Sequence, residues 1–189
     1  IGWLEILKMD NVEESTIIEI EKDITRLQTI TDRFSKIGSE PVLERRNIIE
    51  DTKNTVDYLQ SRVSQQVVFS FKAPENPIYV NINPALHSWT IENLVKNAID
   101  AMKGKGSLSI VISELEDIVK ISITDTGKGI PKNQFTKVFE PGFTTKKRGW
   151  GLGLSLTKRI VQEYHKGKIK VAHSEIGKGT TMQISYKTA

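Results

Sequence analysis

Two stretches of this chain alternate strictly between apolar and polar residues. Leu108, Ile110 and Ile112 form one apolar series, and Val119, Ile121 and Ile123 form the next. Side chains on a strand point alternately to opposite faces, so each series predicts a strand with one buried face. The second series continues past Ile123. Asp125 falls in the same phase, which puts a carboxylate at the inner end of a core-facing row. A buried charge without a partner is costly, so Asp125 needs one. The run "DTGKGI" then supplies Gly127 and Gly129, which permit a tight turn and a close backbone approach. An ordinary Asp–Gly turn accounts for this run as well as a functional reading does. In the functional reading, Asp125 accepts a hydrogen bond from an amine such as the exocyclic amine of adenine.

The rest of the chain suggests an α+β or α/β two-layer domain, with helices covering one face of a mixed sheet. Val67, Phe69 and Phe71 predict a strand, and 78–82 another. A helix is expected over 39–63, with Ser39 as its cap and Pro41 in its first turn. Further helices are expected over about 85–102 and 152–165, and strands near 167–173 and 179–187, joined at Gly177. Ahead of this lies a coiled-coil-like stripe of Ile17, Ile20, Ile24, Leu27, Phe34 and Ile37, with Thr31 in one core slot. We expect residues 1–38 to form part of a helical hairpin completed by a second chain, the plainer reading being that the stripe packs against the domain of residues 39–189. The chain has no cysteine, which excludes a disulfide framework and thiolate metal sites. No apolar run approaches the roughly 20 residues of a membrane helix. Net charge is only +4, and many basic residues cluster between Lys128 and Arg159, near glycines. Bound phosphate explains that cluster better than nucleic acid.

Two further stretches bear chemistry. On the helix "IENLVKNAIDAM", Ile91, Leu94, Val95, Ala98 and Met102 share the core face, while Asn93, Asn97 and Asp100 form a separate polar stripe. Asparagine costs about 0.5 kcal/mol against alanine inside a helix. Aligned asparagines therefore suggest amides aimed at a ligand or metal, the alternative being a tolerated surface stripe. In "RGWGLGLSLTKRI", Gly149, Gly151 and Gly153 alternate just before a helix. Glycines there clear room for a bulky anion facing the helix N-terminus, with Lys146, Lys147 and Arg148 upstream to neutralise it. A flexible surface turn is the plainer reading. The pattern is neither a Walker loop nor a dinucleotide fingerprint.

Taken together and in order, these runs resemble the ATP-binding catalytic domain of sensor histidine kinases, in the superfamily shared with Hsp90 chaperones, type II topoisomerases and mismatch-repair ATPases. "ENLVKNAIDAM" is similar to the N box, "DTGKGI" to the first glycine box and "VFEPGFTTK" to the F box. "GWGLGL" is similar to the second glycine box, and "GKGTTMQI" to the terminal glycine-threonine strand. The resemblance spans about 41–189. It implies ATP and Mg²⁺ as cofactors, with Asn97 coordinating the metal and Asn93 beside it as the second catalytic asparagine. Asp125 would bind the adenine amine with support from Thr180, and Gly127 and Gly129 would shape the adenine pocket. Lys146, Arg148, Gly149, Gly151, Gly153 and Leu154 would form the phosphate side, within an ATP lid at about 131–150. The "NAIDA" form looks more like the nitrogen-regulation branch. Trp150 has two readings, stacking on the lid or nucleotide, or a surface position.

The implied activity is transfer of the ATP γ-phosphoryl to a histidine, for relay to a response regulator receiver domain. The alternatives are a superfamily ATPase or a non-transferring nucleotide-binding scaffold. The hydrolases place a glutamate base four residues before the metal-binding asparagine. Here Asn93 occupies that position, and Glu92 lies roughly 100° around the helix. That favours the kinase. His87 reads as a helix-start or packing residue, while His165 and His173, near element ends, are expected to be exposed. The acceptor histidine is expected upstream of Ile1. The resemblance further implies a homodimer through the helical hairpin, no nucleic-acid partner, and a cytoplasmic location, whether or not the parent protein spans a membrane.

Overall fold

In the computed structural model, residues 41–146 and 150–189 are described. The hairpin expected over 1–38, together with Lys147, Arg148 and Gly149, lies outside them. The element order is β1 (Glu44–Asn47), α1 (Ile48–Gln60), β2 (Val67–Lys72), β3 (Tyr79–Ile82), α2 (Pro84–Ala101), β4 (Gly106–Leu115) and β5 (Ile118–Asp125). Two short 3₁₀ turns, Lys132–Gln134 and Lys137–Phe139, lead to α3 (Gly153–Arg159). A π-helical turn (Ile160–Tyr164), β6 (Lys168–Glu175) and β7 (Gly179–Lys187) complete the chain.

The five-stranded sheet has the order β2-β4-β5-β7-β6. β2 runs parallel to β4, and the other neighbours are antiparallel. The sheet is therefore mixed, as expected. Its inner face is built from the alternating residues: Leu108, Ile110 and Ile112 on β4, Val119, Ile121 and Ile123 on β5, and Met182, Ile184 and Tyr186 on β7 are all buried. Against them α2 sets Ile91, Leu94, Val95 and Ala98, with Met102 just beyond its end. Each fully buried aliphatic side chain contributes about 1.5–3 kcal/mol, so this row dominates the stability of the layer. The outer face is hydroxyl-rich. Ser70 faces Ser109 at 3.4 Å, and Thr124 faces Thr181 at 3.0 Å.

The helix expected from Ser39 begins instead at Ile48. Glu44–Asn47 extends and pairs antiparallel with Tyr79–Ile82, a long-range partner that local propensity cannot reveal. Asn47 caps α1 by accepting from the Ile49 N–H at 3.2 Å, and Glu50 and Asp51 complement the positive end of the helix. Asp51 also receives two hydrogen bonds from the Arg46 guanidinium, at 3.0 and 2.9 Å. At the start of α2, Asn83 accepts from the Leu86 N–H and Pro84 fills the first turn. Among the described residues, no helix is long and apolar enough to cross a membrane.

Candidate functional site

The polar stripe of α2 divides into two jobs. The amide of Asn93 donates to the hydroxyl of Thr157 on α3 at 2.7 Å. Gly153 makes this approach possible, since a Cβ there would lie 2.6 Å from Asn93 Oδ1. Asn93 thus clasps the helix that follows the second glycine box. One turn on, Asn97 and Asp100 face a cation. Lys146 Nζ lies 2.8 Å from Asn97 Oδ1 and 2.6 Å from Asp100 Oδ2. The spacing i, i+3 brings the amide and carboxylate oxygens onto one ammonium. Glu92 is engaged elsewhere, its carboxylate 2.5 Å from Lys96 Nζ.

Asp125 ends β5 as the alternation requires, with 5% of its surface exposed. Its Oδ1 accepts from the Gly127 N–H at 2.7 Å, and Thr180 is its register partner on β7. Burial pushes its pKa upward, an effect partly offset by the backbone N–H groups of Gly127 and Thr180. The first glycine box is packed tightly. A Cβ on Gly127 would meet the Ala101 carbonyl carbon at 2.6 Å, so the loop rests on the end of α2. Gly129 has φ +75° and lies against the Glu175 backbone, where only glycine fits.

The structure adds one residue to this corner that the sequence did not single out. Ser174 is buried on β6. It accepts from the Ile130 N–H at 2.7 Å, donates to the Gly179 carbonyl at 2.9 Å, and lies 2.9 Å from Thr180 Oγ1. It therefore joins the first glycine box to the strand bearing Thr180. Strict alternation from Ile169 and Val171 would turn Ser174 outward, and a bulge between Val171 and His173 turns it inward instead, so periodicity held no signal for it. Thr157 and Asp100 likewise acquire roles only through partners far along the chain.

In the segment expected to form a lid, Val138 and Phe139 are both buried. Lys128 Nζ donates to Thr145 Oγ1 at 2.7 Å, and the Gly142 N–H donates to the Gly151 carbonyl at 3.1 Å. Gly151 has φ +66°, and a Cβ there would meet the Gly142 backbone at 2.5 Å. Leu154 packs against the core, and Trp150 is 72% exposed. Three groups result: Asn93 with Gly153 and Thr157, Asn97 and Asp100 with Lys146, and Asp125 with Gly127, Gly129 and Thr180. Ala101, beneath Gly127 and next to Asp100, connects the last two. Arg148 and Gly149 lie outside the described residues.

The histidines require one correction. His173 is exposed, as expected, and His87 is a packing residue. His165 was expected at the surface but is buried, 6% exposed. The π turn carries it inward, where Nε2 accepts from the Asn83 N–H at 3.1 Å. Burial lowers its pKa to about 4.

Residues 86–189 match the family model for histidine kinase-, DNA gyrase B- and HSP90-like ATPases. The chain is 39% identical to sporulation kinase A of Bacillus subtilis (strain 168), over 98% of this chain and 31% of that protein. It spans about a quarter to a third of the length of the curated relatives it matches. Among solved structures, the catalytic domain of histidine kinase ThkA is 26% identical, with a TM-score of 0.69 over 77% of this chain and 95% of that one. Histidine kinase ThkA in complex with response regulator protein TrrA has the same fold, with a TM-score of 0.74 and 24% identity over 100% of this chain and 56% of that one.

Proposed function

Since the chain belongs to the histidine kinase-, DNA gyrase B- and HSP90-like ATPase family, we propose that it is the ATP-binding core of a protein histidine kinase. Asp125 accepts the adenine amine, with Thr180 and the first glycine box forming the surrounding wall. Asn97 and Asp100 are the residues that would hold Mg²⁺. The residues fit that ion because their two oxygens already share a cation, the ammonium of Lys146. This is the observation that carries the reading. Bound Mg²⁺ would neutralise phosphate charge, which phosphoryl transfer needs more than covalent help from the protein. Lys146, exposed and held by these two oxygens, would be free to pair with phosphate charge once they are engaged by the ion.

The kinase reading is favoured over a hydrolase by Asn93. Its amide has no basicity at neutral pH and is committed to Thr157. Glu92, committed to Lys96, does not replace it. The phosphoryl acceptor is then a histidine of the intact protein other than His87, His165 and His173. The first two are buried, and His173 stands on the outer sheet face. The phosphoryl group passes on to a response regulator receiver domain. The intact kinase is a homodimer through the segment of residues 1–38 for which the sequence predicts a hairpin, works in the cytoplasm and binds no nucleic acid.

Calorimetry of ATP binding with and without Mg²⁺ tests the site, and incubation with γ-labelled ATP tests the activity. This chain should bind Mg²⁺-ATP without labelling itself, while the full-length protein acquires acid-labile phosphohistidine. Stoichiometric labelling of this chain on any of its three histidines would overturn the assignment of the acceptor.

A further inference from the structure

Four buried polar atoms outside the nucleotide site have no hydrogen-bond partner among the described residues. They are His87 Nδ1, Thr90 Oγ1, His165 Nδ1 and the Tyr186 hydroxyl. Their residues are 0, 0, 6 and 2% exposed. Three of these residues meet ring to ring. The Tyr186 ring meets both imidazoles edge-on, with centroids 6.0 Å from His87 and 5.8 Å from His165. Thr90 lies one turn after His87 on the same face of α2.

The neighbouring bonds fix where the protons are. Thr52 Oγ1 donates to the Ile48 carbonyl at 2.6 Å, which uses its only proton. Thr52 must then accept from His87 Nε2, 3.0 Å away. The proton of neutral His87 is on Nε2, and its Nδ1 is a bare acceptor. His165 is the opposite case. Its Nε2 accepts from the Asn83 N–H, so its proton is on Nδ1, a donor. The cluster thus presents one acceptor, one donor and two hydroxyls that can serve as either.

That set matches water. A water molecule accepts from His165 Nδ1–H, donates to His87 Nδ1, and has one bond of each kind left for the hydroxyls of Tyr186 and Thr90. It does not match a metal ion, which the proton on His165 Nδ1 would repel. We propose that these four side chains form a built site for internal water, holding at least one ordered molecule that pins the start of α2 to the end of the segment following α3. The site stands independently of the ATP reading, although the two helices it joins carry Asn93, Asn97 and Gly153.

The backbone around the site supports a constructed joint. The His165 N–H bonds to the Ile160 carbonyl, five residues back, in a wide turn that helices rarely adopt. This turn swings the imidazole onto Asn83. Gly167 then lets the chain press on the Tyr186 ring, since a Cβ there would lie 2.7 Å from Tyr186 Cδ1.

The test is nitrogen NMR of the imidazoles in this chain at neutral pH, together with a crystal structure of it at a resolution that shows waters. The expected result is a pyridine-like Nδ1 on His87, a pyrrole-like Nδ1 on His165, and a buried water hydrogen-bonded to both. The opposite tautomer or a charged ring at either histidine overturns the proposal. So does a direct bond from His165 Nδ1 to Tyr186 or His87 with no water between them.

Discussion

The ammonium of Lys146 lies 2.8 Å from Oδ1 of Asn97, bridging the loop that follows the second 3₁₀ turn and the asparagine-bearing helix. It also touches Asp100 at 2.6 Å, and the side chains of Lys146 and Asp100 are 42% and 55% exposed. A pair that open to solvent is worth about 0–1 kcal/mol, so Mg²⁺ with nucleotide can displace it. Asn97→Ala should therefore weaken Mg²⁺-ATP by about 10- to 150-fold, the range for hydrogen bonds to charged groups, and metal-free ATP by less. Asp100→Asn should act in the same direction. Lys146→Met removes the competitor and should tighten Mn²⁺ binding in the absence of nucleotide by up to about fivefold. Equal losses for Asn97→Ala with and without Mg²⁺ in calorimetry would remove the metal from these oxygens.

Asp125 sets binding against stability. Burial raises its pKa, so the fold favours its neutral form. It thereby withdraws stability as pH rises through its folded pKa, and Asp125→Asn removes that loss. The variant should melt no lower than the wild type. Its ATP affinity should nevertheless fall by about 5- to 150-fold, because an amine meets an amide that is now part donor. Wild-type affinity should also decline as acid protonates Asp125, while that of the variant stays level. A variant that binds ATP as tightly as wild type would exclude Asp125 from adenine recognition.

Two glycines of the same box should respond differently to alanine. At Gly151, with φ +66°, a Cβ meets the Gly142 backbone at 2.5 Å. The left-handed conformation alone costs about 1–2 kcal/mol, and the backbone contact adds to it. At Gly153 the obstacle is the Asn93 amide, which can move if it gives up Thr157. That loss is about 0.5–1.5 kcal/mol, without the left-handed strain, since Gly153 already has helical backbone. Gly153→Ala should thus lower the urea midpoint less than Gly151→Ala does, and it should bind ATP less well than the wild type. The reverse order of urea midpoints would contradict the packing described for this loop.

Acid should unfold this domain through its buried histidines. Burial lowers the pKa of His87 to about 3, the nearby His165 adds to this, and Asp51 on α1 opposes it. His165 is lowered to about 4 by burial. Both rings are neutral in the fold and titrate near 6.5 when unfolded, so below that pH the unfolded state binds more protons. The contribution is complete above about pH 6.5 and is lost at about 1.4 kcal/mol per proton per pH unit as pH falls towards the folded values. Urea midpoints measured from pH 7 to 4.5 should show a dependence approaching two protons, and His165→Gln should reduce it by one. A flat profile over that range would show that the two rings are not buried in neutral form.

Periodicity and composition by themselves determined the two-layer arrangement of helices on a sheet, the core face of α2 and the inward phase of Asp125. Those features depend on where a side chain points along its own element, a local property with a fixed period. The same alternation that buried Ile121 and Ile123 carried Asp125 inward, and the glycines of "DTGKGI" marked the close approach to Ala101 and Glu175. Only the tertiary structure decided what depends on a distant partner. Glu44–Asn47 became a strand because Tyr79–Ile82 lay beside it. Asn93 turned to Thr157 and Asn97 to Lys146, although both asparagines share one helix face. His165, near the end of its element, was drawn inside by a π turn that no propensity encodes and by the free N–H of Asn83. A hydrogen bond between residues far apart in the chain has no period to read, and it forms only once the packed layers bring its two ends together.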